Sequence, residues 1–325
     1  MTDAMPQALS IVADIGGTNT RVALAEGSRI DRAGIRRFAN ADHSGIAAIL
    51  ADYLAMAGHP VCSGACVAVA GPIHDGKATM TNRDWTIERG AIGRATGARR
   101  IVMINDLQAQ GHGLGHLTSK NLRGIIPASA SPCPRATRLV IGIGTGFNAA
   151  AIHDTPAGKI VTASECGHAG LPVRDAAGLR LAQFLERTHD GFASVEDVLS
   201  GRGLEGLHRW LTAKAGPATG LAAPDIIAAI ASGGERRAAH AGRIFVRLLG
   251  AVAGDLALIH LPFGGIYLTG GVARALAPHL ERLGFADAFR DKGRFSGFLN
   301  DFPVLVVEDD FAALKGCAAF LDAQV

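Results

Sequence analysis

Apolar residues occur along the chain in two patterns, short continuous runs and longer stretches with helical spacing. Short apolar runs are typical of buried strands, and they lie at residues 9–13, 21–25, 65–70, 100–105, 139–143, 148–152, 266–269 and 304–307. Helical patterns lie at residues 44–57, 86–96, 175–188, 194–212, 224–232, 235–260 and 311–322. The alternation of strands with helices predicts the α/β fold class. Residues 118–137 hold clusters of Ser, Pro, Arg and Gly and predict a crossover or a long loop.

Two of the predicted strand pairs are joined by turns rich in Gly and Thr. They are residues 12–18, Val-Ala-Asp-Ile-Gly-Gly-Thr, and residues 140–146, Val-Ile-Gly-Ile-Gly-Thr-Gly. Neither turn fits a dinucleotide fingerprint and the chain has no Walker loop, which disfavours the common nucleotide-binding folds. A Gly-rich turn nevertheless points successive backbone N–H groups into one concavity that holds anionic oxygens. We therefore predict two phosphate-binding loops and, from the repeat, two lobes of related design. Two ordinary hairpin turns are the alternative.

Polar side chains beside these turns could complete a nucleotide site. Thr18, Asn19 and Thr145 add hydroxyl or amide donors, and Asp14 ends the strand before the first loop. Mg²⁺ usually keeps several waters and takes few carboxylates. Asp14 is therefore our candidate to orient a magnesium ion or its waters.

Composition narrows the class of protein. The 325 residues predict two lobes, and 48% hydrophobic with 19% charged residues is normal for a folded soluble protein. A net charge of +3 without a basic block argues against nucleic-acid binding, and a membrane span is not expected without a long apolar run. The N-terminus lacks the pattern of a secretion signal. Five cysteines without Cys-x-x-Cys spacing favour a reducing cytoplasm and argue against a disulfide framework or a zinc site.

Residues 14–21, Asp-Ile-Gly-Gly-Thr-Asn-Thr-Arg, resemble the first phosphate motif of the sugar kinase, actin and heat-shock ATPase superfamily. Within it the chain is similar to bacterial glucokinases, and the resemblance covers residues 10 to 320. Five further motifs occur in the family's order: Met80-Thr81-Asn82-x-x-Trp85, Ile104-Asn105-Asp106, Glu165-x-Gly167-His168, Leu199-Ser200-Gly201-x-Gly203-Leu204 and Asp291-Lys292-Gly293-Arg294-Phe295.

The resemblance implies a two-lobed actin-like ATPase (ribonuclease H-like) fold that binds ATP and sugar in an interlobe cleft. The small α/β lobe would hold residues 1–113 plus 310–325, and the large α+β lobe residues 114–309. It also implies a homodimer. The expected reaction transfers phosphate from ATP, with Mg²⁺, to the 6-hydroxyl of D-glucose.

The resemblance also assigns roles to single residues. Asp106 would be the general base that takes the proton of the sugar's 6-hydroxyl, or it caps a helix starting at Leu107. The sugar-binding positions would be Asn105, Asp106, Glu165, His168 and Glu196. Alternatively, His168 is a core histidine and Glu196 lies on a solvated helix face. The nucleotide-binding residues would be Asp14, Gly16, Gly17, Thr18, Asn19, Gly144, Thr145, Gly146, Gly270 and Gly271. Gly270-Gly271 resembles the adenosine motif, and a simple strand-to-helix turn is the alternative.

The chain departs from the family pattern in three places. Phe147-Asn148 stands where the family usually has Leu-Gly, a bulkier pair that could alter ATP affinity. Cys166 stands where the family has Gly, and Gly170 stands where the family often has an acidic residue. Residues 309–313 lack the family's usual Pro-Gly pair. A kinase for another hexose or amino sugar, a weakly active sugar-binding regulator, and a donor such as polyphosphate therefore stay open.

Overall fold

The computed structural model describes residues 9–80, 85–129, 133–212 and 220–324. The strands of this part, in chain order, are β1 (Leu9–Ile15), β2 (Asn19–Glu26), β3 (Arg29–Ile30), β4 (Arg36–Ala39), β5 (Gly64–Val69), β6 (Ile73–His74), β7 (Lys77–Thr79), β8 (Thr86–Glu88), β9 (Arg100–Asn105), β10 (Leu122–Ile126), β11 (Arg138–Ile143), β12 (Phe147–Thr155), β13 (Gly158–Thr162), β14 (Ile266–Thr269) and β15 (Val304–Val307). Its α-helices are α1 (Ile46–Met56), α2 (Arg89–Thr96), α3 (Asp106–Gly113), α4 (Ala176–Thr188), α5 (Gly201–Thr212), α6 (Ala223–Ser232), α7 (Arg236–His260), α8 (Gly271–Leu276), α9 (Phe285–Arg290) and α10 (Ala312–Asp322). The α/β class predicted from the sequence is confirmed.

Three of the predicted elements differ from the structure. Residues 118–137 were expected to form a crossover or a long loop but contain β10, which pairs antiparallel with β15. The helix expected at 86–96 starts at residue 89, because residues 86–88 pair with β7. The helix expected at 194–212 starts at Gly201. In the preceding residues, the carboxylate of Asp197 accepts hydrogen bonds from the backbone N–H and the hydroxyl of Ser194. These bonds close a local turn in place of a helical one.

The residues divide into two units. Unit 1 spans Met1–Thr118, Pro156–Ala163 and Asp309–Val325, and unit 2 spans Ser119–Thr155 and Ser164–Glu308. The lobe boundaries expected from the resemblance, 1–113 plus 310–325 and 114–309, stay a prediction. Across the described ranges, no helix has both the length and the apolar composition needed to cross a bilayer.

Unit 1 is built on a twisted sheet with strand order β3-β2-β1-β5-β9, and β4 pairs with β2. β1, β5 and β9 run parallel, whereas β1 and β2 form an antiparallel pair. Successive side chains of a strand point to opposite faces of the sheet. Ile11, Ala13 and Ile15 therefore pack with α1 and α2, while Val12 packs with α10.

Helices α3 and α10 of unit 1 cross with their backbones in close contact. A Cβ atom at Gly316 would lie 1.7 Å from the carbonyl oxygen of Ala109, and one at Gly113 would lie 2.2 Å from that of Ala312. Only glycine lets two helices approach this closely. The crossing fixes α3, whose first residue is Asp106.

Unit 2 is built on a second sheet, whose strands in this unit follow the order β10-β15-β14-β11-β12. β11, β14 and β15 run parallel, and β12 returns antiparallel to β11. The long helix α7 buries an apolar face that includes Phe245, and its neighbour α9 buries Phe285 and Phe289. The turns that follow β11 and β14 lie on the same edge of the sheet because these strands are parallel.

Candidate functional site

The first predicted phosphate loop is a tight turn between β1 and β2. The N–H of Gly16 donates to the carbonyl of Asn19, with N and O 3.0 Å apart. Asn40, fully buried just after β4, closes the turn from outside. Its side-chain amide donates to the carbonyl of Gly16 at 2.8 Å, and its backbone N–H donates to that of Thr18 at 2.9 Å. Asn40 was not predicted from the sequence, because a single Asn more than 20 residues away carries no local signal.

Asp14 lies at the base of this loop, directly opposite Arg21 in the β1–β2 register. Arg21 Nη1 and Asp14 Oδ2 are 3.3 Å apart. Burial raises the pKa of Asp14, and the guanidinium of Arg21 partly offsets that effect. A buried carboxylate of this kind gains from a second nearby cation. Among the described residues there is no group of three or more metal-ligating side chains, so a magnesium ion here would rely on water and substrate oxygens, as Mg²⁺ commonly does.

The second predicted phosphate loop follows β11 and is held by residues far along the chain. The N–H of Gly144 donates to the carbonyl of Gly146 at 2.9 Å, and the N–H of Gly201, which starts α5, donates to the carbonyl of Gly144 at 2.8 Å. Thr145 is exposed. The N-terminal end of a helix beside a Gly-rich turn forms a place for anionic oxygens. This geometry favours a phosphate role for Gly144, Thr145 and Gly146.

Phe147, which follows the second loop, does not crowd it. Its side chain is 3% exposed and packs in the core of unit 2. The expectation that a bulky residue here alters ATP affinity therefore finds no support for Phe147. Its backbone N–H donates to Glu196 Oε2 at 2.8 Å.

Glu196 lies in the turn before α5 and is half-buried. The alternative that it lies on a solvated helix face is therefore wrong. Its side chain accepts the hydrogen bond from Phe147, and its backbone N–H donates to the carbonyl of Gly167 at 2.8 Å. One residue thus connects the second phosphate loop with the segment of Glu165 and His168.

Glu165 immediately precedes a single 3₁₀ turn, Cys166–His168, and His168 is its last residue. Burial raises the pKa of the Glu165 carboxyl, the nearby His168 lowers it, and the negative charge of Glu196 raises it again. These three side chains are therefore electrostatic neighbours. His168 is exposed, so the alternative of a core histidine is wrong.

Asn105 and Asp106 stand at the start of α3. Asn105 is the N-cap: its Oδ1 accepts from the N–H of Leu107 at 2.9 Å, and the side chain of Gln108 accepts from the N–H of Asn105 at 3.1 Å. The two bonds form a capping box. The helix begins at Asp106 and not at Leu107, and Asn105 is its cap, although the N–H of Leu107 also lies 2.9 Å from Asp106 Oδ1. Asp106 is half-buried.

Gly270 and Gly271 form the turn between β14 and α8. Gly270 has φ of 103°, and a Cβ atom there would lie 2.2 Å from the carbonyl oxygen of Ile143. The turn is thus a strand-to-helix turn that requires glycine. It is also adjacent to the end of β11, where the second phosphate loop begins. Of the motif at residues 80–85, Thr81 and Asn82 lie outside the described residues.

Comparison with known proteins gives a family match over almost the whole chain. The family model described as glucokinase matches residues 11–324. A glucokinase of Caulobacter vibrioides is 35% identical over 322 residues, which cover 97% of this chain and 96% of that protein.

Solved structures agree. A glucokinase from an Antarctic psychrotroph has a TM-score of 0.79 at 30% identity and covers 96% of this chain and 98% of its own. A ROK family glucokinase from Streptomyces griseus, in complex with glucose and AMPPNP, has a TM-score of 0.64 at 21% identity, with 96% and 99% covered. The last likeness concerns the fold alone. These neighbours confirm the expected actin-like ATPase fold class.

Proposed function

The chain belongs to the glucokinase family, and from that membership we infer that it is an ATP-dependent hexose kinase that phosphorylates D-glucose at the 6-hydroxyl, giving glucose 6-phosphate and ADP. One observation carries the proposal beyond the family match. The side chain of Glu196 accepts a hydrogen bond from the N–H of Phe147, directly after the second predicted phosphate loop. Its backbone N–H donates to the carbonyl of Gly167, which lies between the predicted sugar-binding residues Glu165 and His168. Groups suited to phosphate and groups suited to hydroxyls therefore occur side by side in unit 2.

In the proposed reaction, Glu165, His168, Glu196 and Asn105 bind the hydroxyls of the hexose. Carboxylates, an imidazole and an amide both donate to and accept from hydroxyl groups, so a site built from them rejects analogues that lack one. Asn105 has its Oδ1 engaged as the helix cap, and one amide N–H is directed at the carbonyl of Gly71, 3.5 Å away. Its second amide N–H is the donor to the sugar.

Asp106 accepts the proton of the 6-hydroxyl as that oxygen attacks the γ-phosphorus, and the bond from phosphorus to the β-phosphate oxygen of ATP breaks. A positioned base contributes about 10²–10⁴-fold to the rate. The remaining acceleration comes from holding the phosphoryl group in line and neutralising its charge. Backbone N–H groups of the two loops do this together with Thr18, Asn19 and Thr145, apart from those of Gly16 and Gly144, which donate within their own turns. Gly270 and Gly271 let the adenosine lie against backbone.

Magnesium belongs to the proposal, with Asp14 as the residue that holds the ion or its waters. A bound Mg²⁺ would supply positive charge to the phosphate oxygens. We also propose that the enzyme works in the cytoplasm, where ATP is abundant and its cysteines stay reduced, and that it forms a homodimer as the resemblance implies.

Coupled ADP release with Mg-ATP and a panel of hexoses tests the proposal. The variants are Asp106→Asn and, as a matched control, Asp287→Asn on the exposed first turn of α9. We expect turnover with glucose that falls at least about 100-fold in Asp106→Asn and is unchanged in Asp287→Asn. Turnover with a different hexose alone would keep the mechanism and change the substrate. A folded wild-type protein without turnover on any hexose would refute the proposal and favour a sugar-binding regulator.

A further inference from the structure

Asn148 is the second residue of β12, and its side chain contacts the segment that carries Glu165. Its Nδ2 donates to the carbonyl oxygen of Ser164 and to Glu165 Oε2, the latter at 3.2 Å. Its Oδ1 lies 2.8 Å from the backbone N of Ala149, 3.0 Å from Ser164 Oγ and 3.3 Å from the backbone N of Cys166. Cys166 Sγ lies 3.5 Å from the same oxygen, and the hydroxyl of Ser164 also bonds to the carbonyl of Ala149 at 2.7 Å. These partners suit one orientation of the amide, because two acceptors face its nitrogen and the backbone N–H groups of Ala149 and Cys166 face its oxygen.

The hydrogen-bonding capacity of this amide is used up inside the protein. An Asn side chain has two N–H donors and two lone pairs on its oxygen, and all of them have partners here, the lone pairs in the backbone N–H groups of Ala149 and Cys166. Asn148 is therefore unsuited to bind a substrate hydroxyl itself. What it does is connect the start of β12 to the Glu165 carboxylate.

The carboxylate of Glu165 would be poorly oriented without this hydrogen bond. The residue as a whole is exposed and lies at the start of a one-turn 3₁₀ segment. Its carboxyl is partly desolvated, and Glu196 adds a like charge nearby. A flexible Glu side chain loses rotamer entropy when it binds a ligand. A donor that holds one carboxylate oxygen beforehand reduces this loss and sets the direction of the other oxygen.

We propose that Asn148 is a positioning residue that orients the Glu165 carboxylate toward the hexose and so sets affinity for the sugar. The inference rests on the proposed function and deepens it. It also gives the departure at residues 147–148 a defined role. Residue 147 bonds to Glu196 through its backbone N–H, so almost any residue there can make this bond. Residue 148 bonds to Glu165 through its side chain, so a Gly at this position could not make that bond.

Two variants test the assignment by steady-state kinetics. Asn148→Asp keeps the shape but replaces the donor by a carboxylate oxygen, which faces the Ser164 carbonyl and the Glu165 carboxylate. Asn148→Gly removes the side chain and adds no charge. Asn300→Asp is the matched control, since Asn300 also bonds a side chain and a backbone carbonyl, those of Arg290 and Gly297, on an exposed turn.

For Asn148→Asp we expect the KM for glucose to rise about tenfold or more, as for a lost charge-assisted hydrogen bond, while the KM for ATP stays within about twofold of the wild-type value. The acid limb of kcat/KM for glucose should move to higher pH. The added carboxylate joins burial and the charge of Glu196 in raising the pKa of Glu165, while the nearby His168 lowers it. Asn148→Gly should raise the KM for glucose less and move the acid limb less, and Asn300→Asp should match the wild type.

A purely structural role predicts a different result, in which melting temperature, kcat and both KM values change together and the acid limb stays in place. That result, or an Asn148→Asp enzyme with wild-type KM for glucose, overturns the inference and leaves the proposed function intact. If Asn148→Asp does not fold, a selective rise in the KM for glucose in Asn148→Gly supports the inference and its absence refutes it. Wild-type protein that phosphorylates no hexose overturns the proposed function, and this inference with it.

Discussion

Replacing Gly316 by Ala should damage both the stability and the turnover of the enzyme. The added Cβ would lie 1.7 Å from the carbonyl oxygen of Ala109 and 2.8 Å from the backbone N of Gly113. Contacts under 3.0 Å are not tolerated by real Cβ atoms. Because both neighbours are backbone atoms of α3, no side chain can rotate away, and α3 and α10 must separate by more than about 1 Å.

Overpacking a core typically costs about 1–3 kcal/mol, and the rigid backbone neighbours place this substitution at the upper end. The better helix propensity of Ala returns about 1 kcal/mol, so the free energy of unfolding should fall by about 2 kcal/mol. The displaced helix begins with Asp106. A misplacement of about 1 Å at a catalytic group can cost about 10²-fold in rate, so kcat should fall by about 10- to 100-fold.

Urea denaturation and ADP-release kinetics measure the two effects. Gly206→Ala in α5 is the matched control, because a Cβ at Gly206 meets no atom within 4 Å. That variant should gain about 0.5–1 kcal/mol from helix propensity and keep its kcat. A Gly316→Ala protein as stable and active as the wild type would show that the close crossing of α3 and α10 does not hold the base.

Three further predictions follow from single contacts. Burial lowers the pKa of His112 to about 4. Between pH 6.5 and 4 the unfolded chain, whose His pKa is near 6.5, therefore binds a proton that the folded chain does not bind. The free energy of unfolding should fall as the pH drops through this range, by up to about 1.4 kcal/mol per pH unit. His112→Phe should flatten that dependence of the urea midpoint, and an unchanged slope would contradict it. Asp309 is buried, and its carboxylate lies 2.8 Å from Lys315 Nζ. Asp309→Ala should lower the free energy of unfolding, measured by calorimetry, by about 3 kcal/mol, because the charge of Lys315 loses this carboxylate partner. A loss below about 1 kcal/mol would argue against this reasoning. Gly167→Ala would place a Cβ 2.0 Å from the carbonyl oxygen of Phe147 and should raise the KM for glucose at least about tenfold, with an unchanged KM as the refuting result.

The strands that could be predicted from the sequence are those whose apolar run is short and sharply bounded. β9, β14 and β15 lie at the predicted residues, since each run ends at a polar residue or a glycine turn. The prediction that residues 194–200 are helical was wrong for a specific reason. Its apolar spacing suits a helix, but the carboxylate of Asp197 captures the N–H of Ser194, and periodicity does not register that competition.

The sequence indicated candidate site residues where the signal is local, and it gave no indication of contacts between distant residues. Glycine turns after two strands indicated both loops. The contact of Asn40 with the first loop and the crossing of Gly113 with Gly316 join residues that are far apart in sequence. Asn148 could be noticed from the sequence only as a departure from a family pattern. Its hydrogen bonds to residues 149 and 164–166, which suggest what the departure does, needed coordinates.

The placement of α10 in unit 1 has a consequence for synthesis on the ribosome. Leu314, Cys317 and Leu321 of this last helix pack on Val12 and Cys66 of the first sheet. Roughly 200 residues separate α3 from α10 along the chain, and at about 5–20 residues per second they take about 10–40 s to translate. During that time one apolar face of the nascent sheet lacks the cover that α10 provides. We therefore expect chaperones that bind exposed apolar segments to engage the nascent chain until α10 emerges from the exit tunnel.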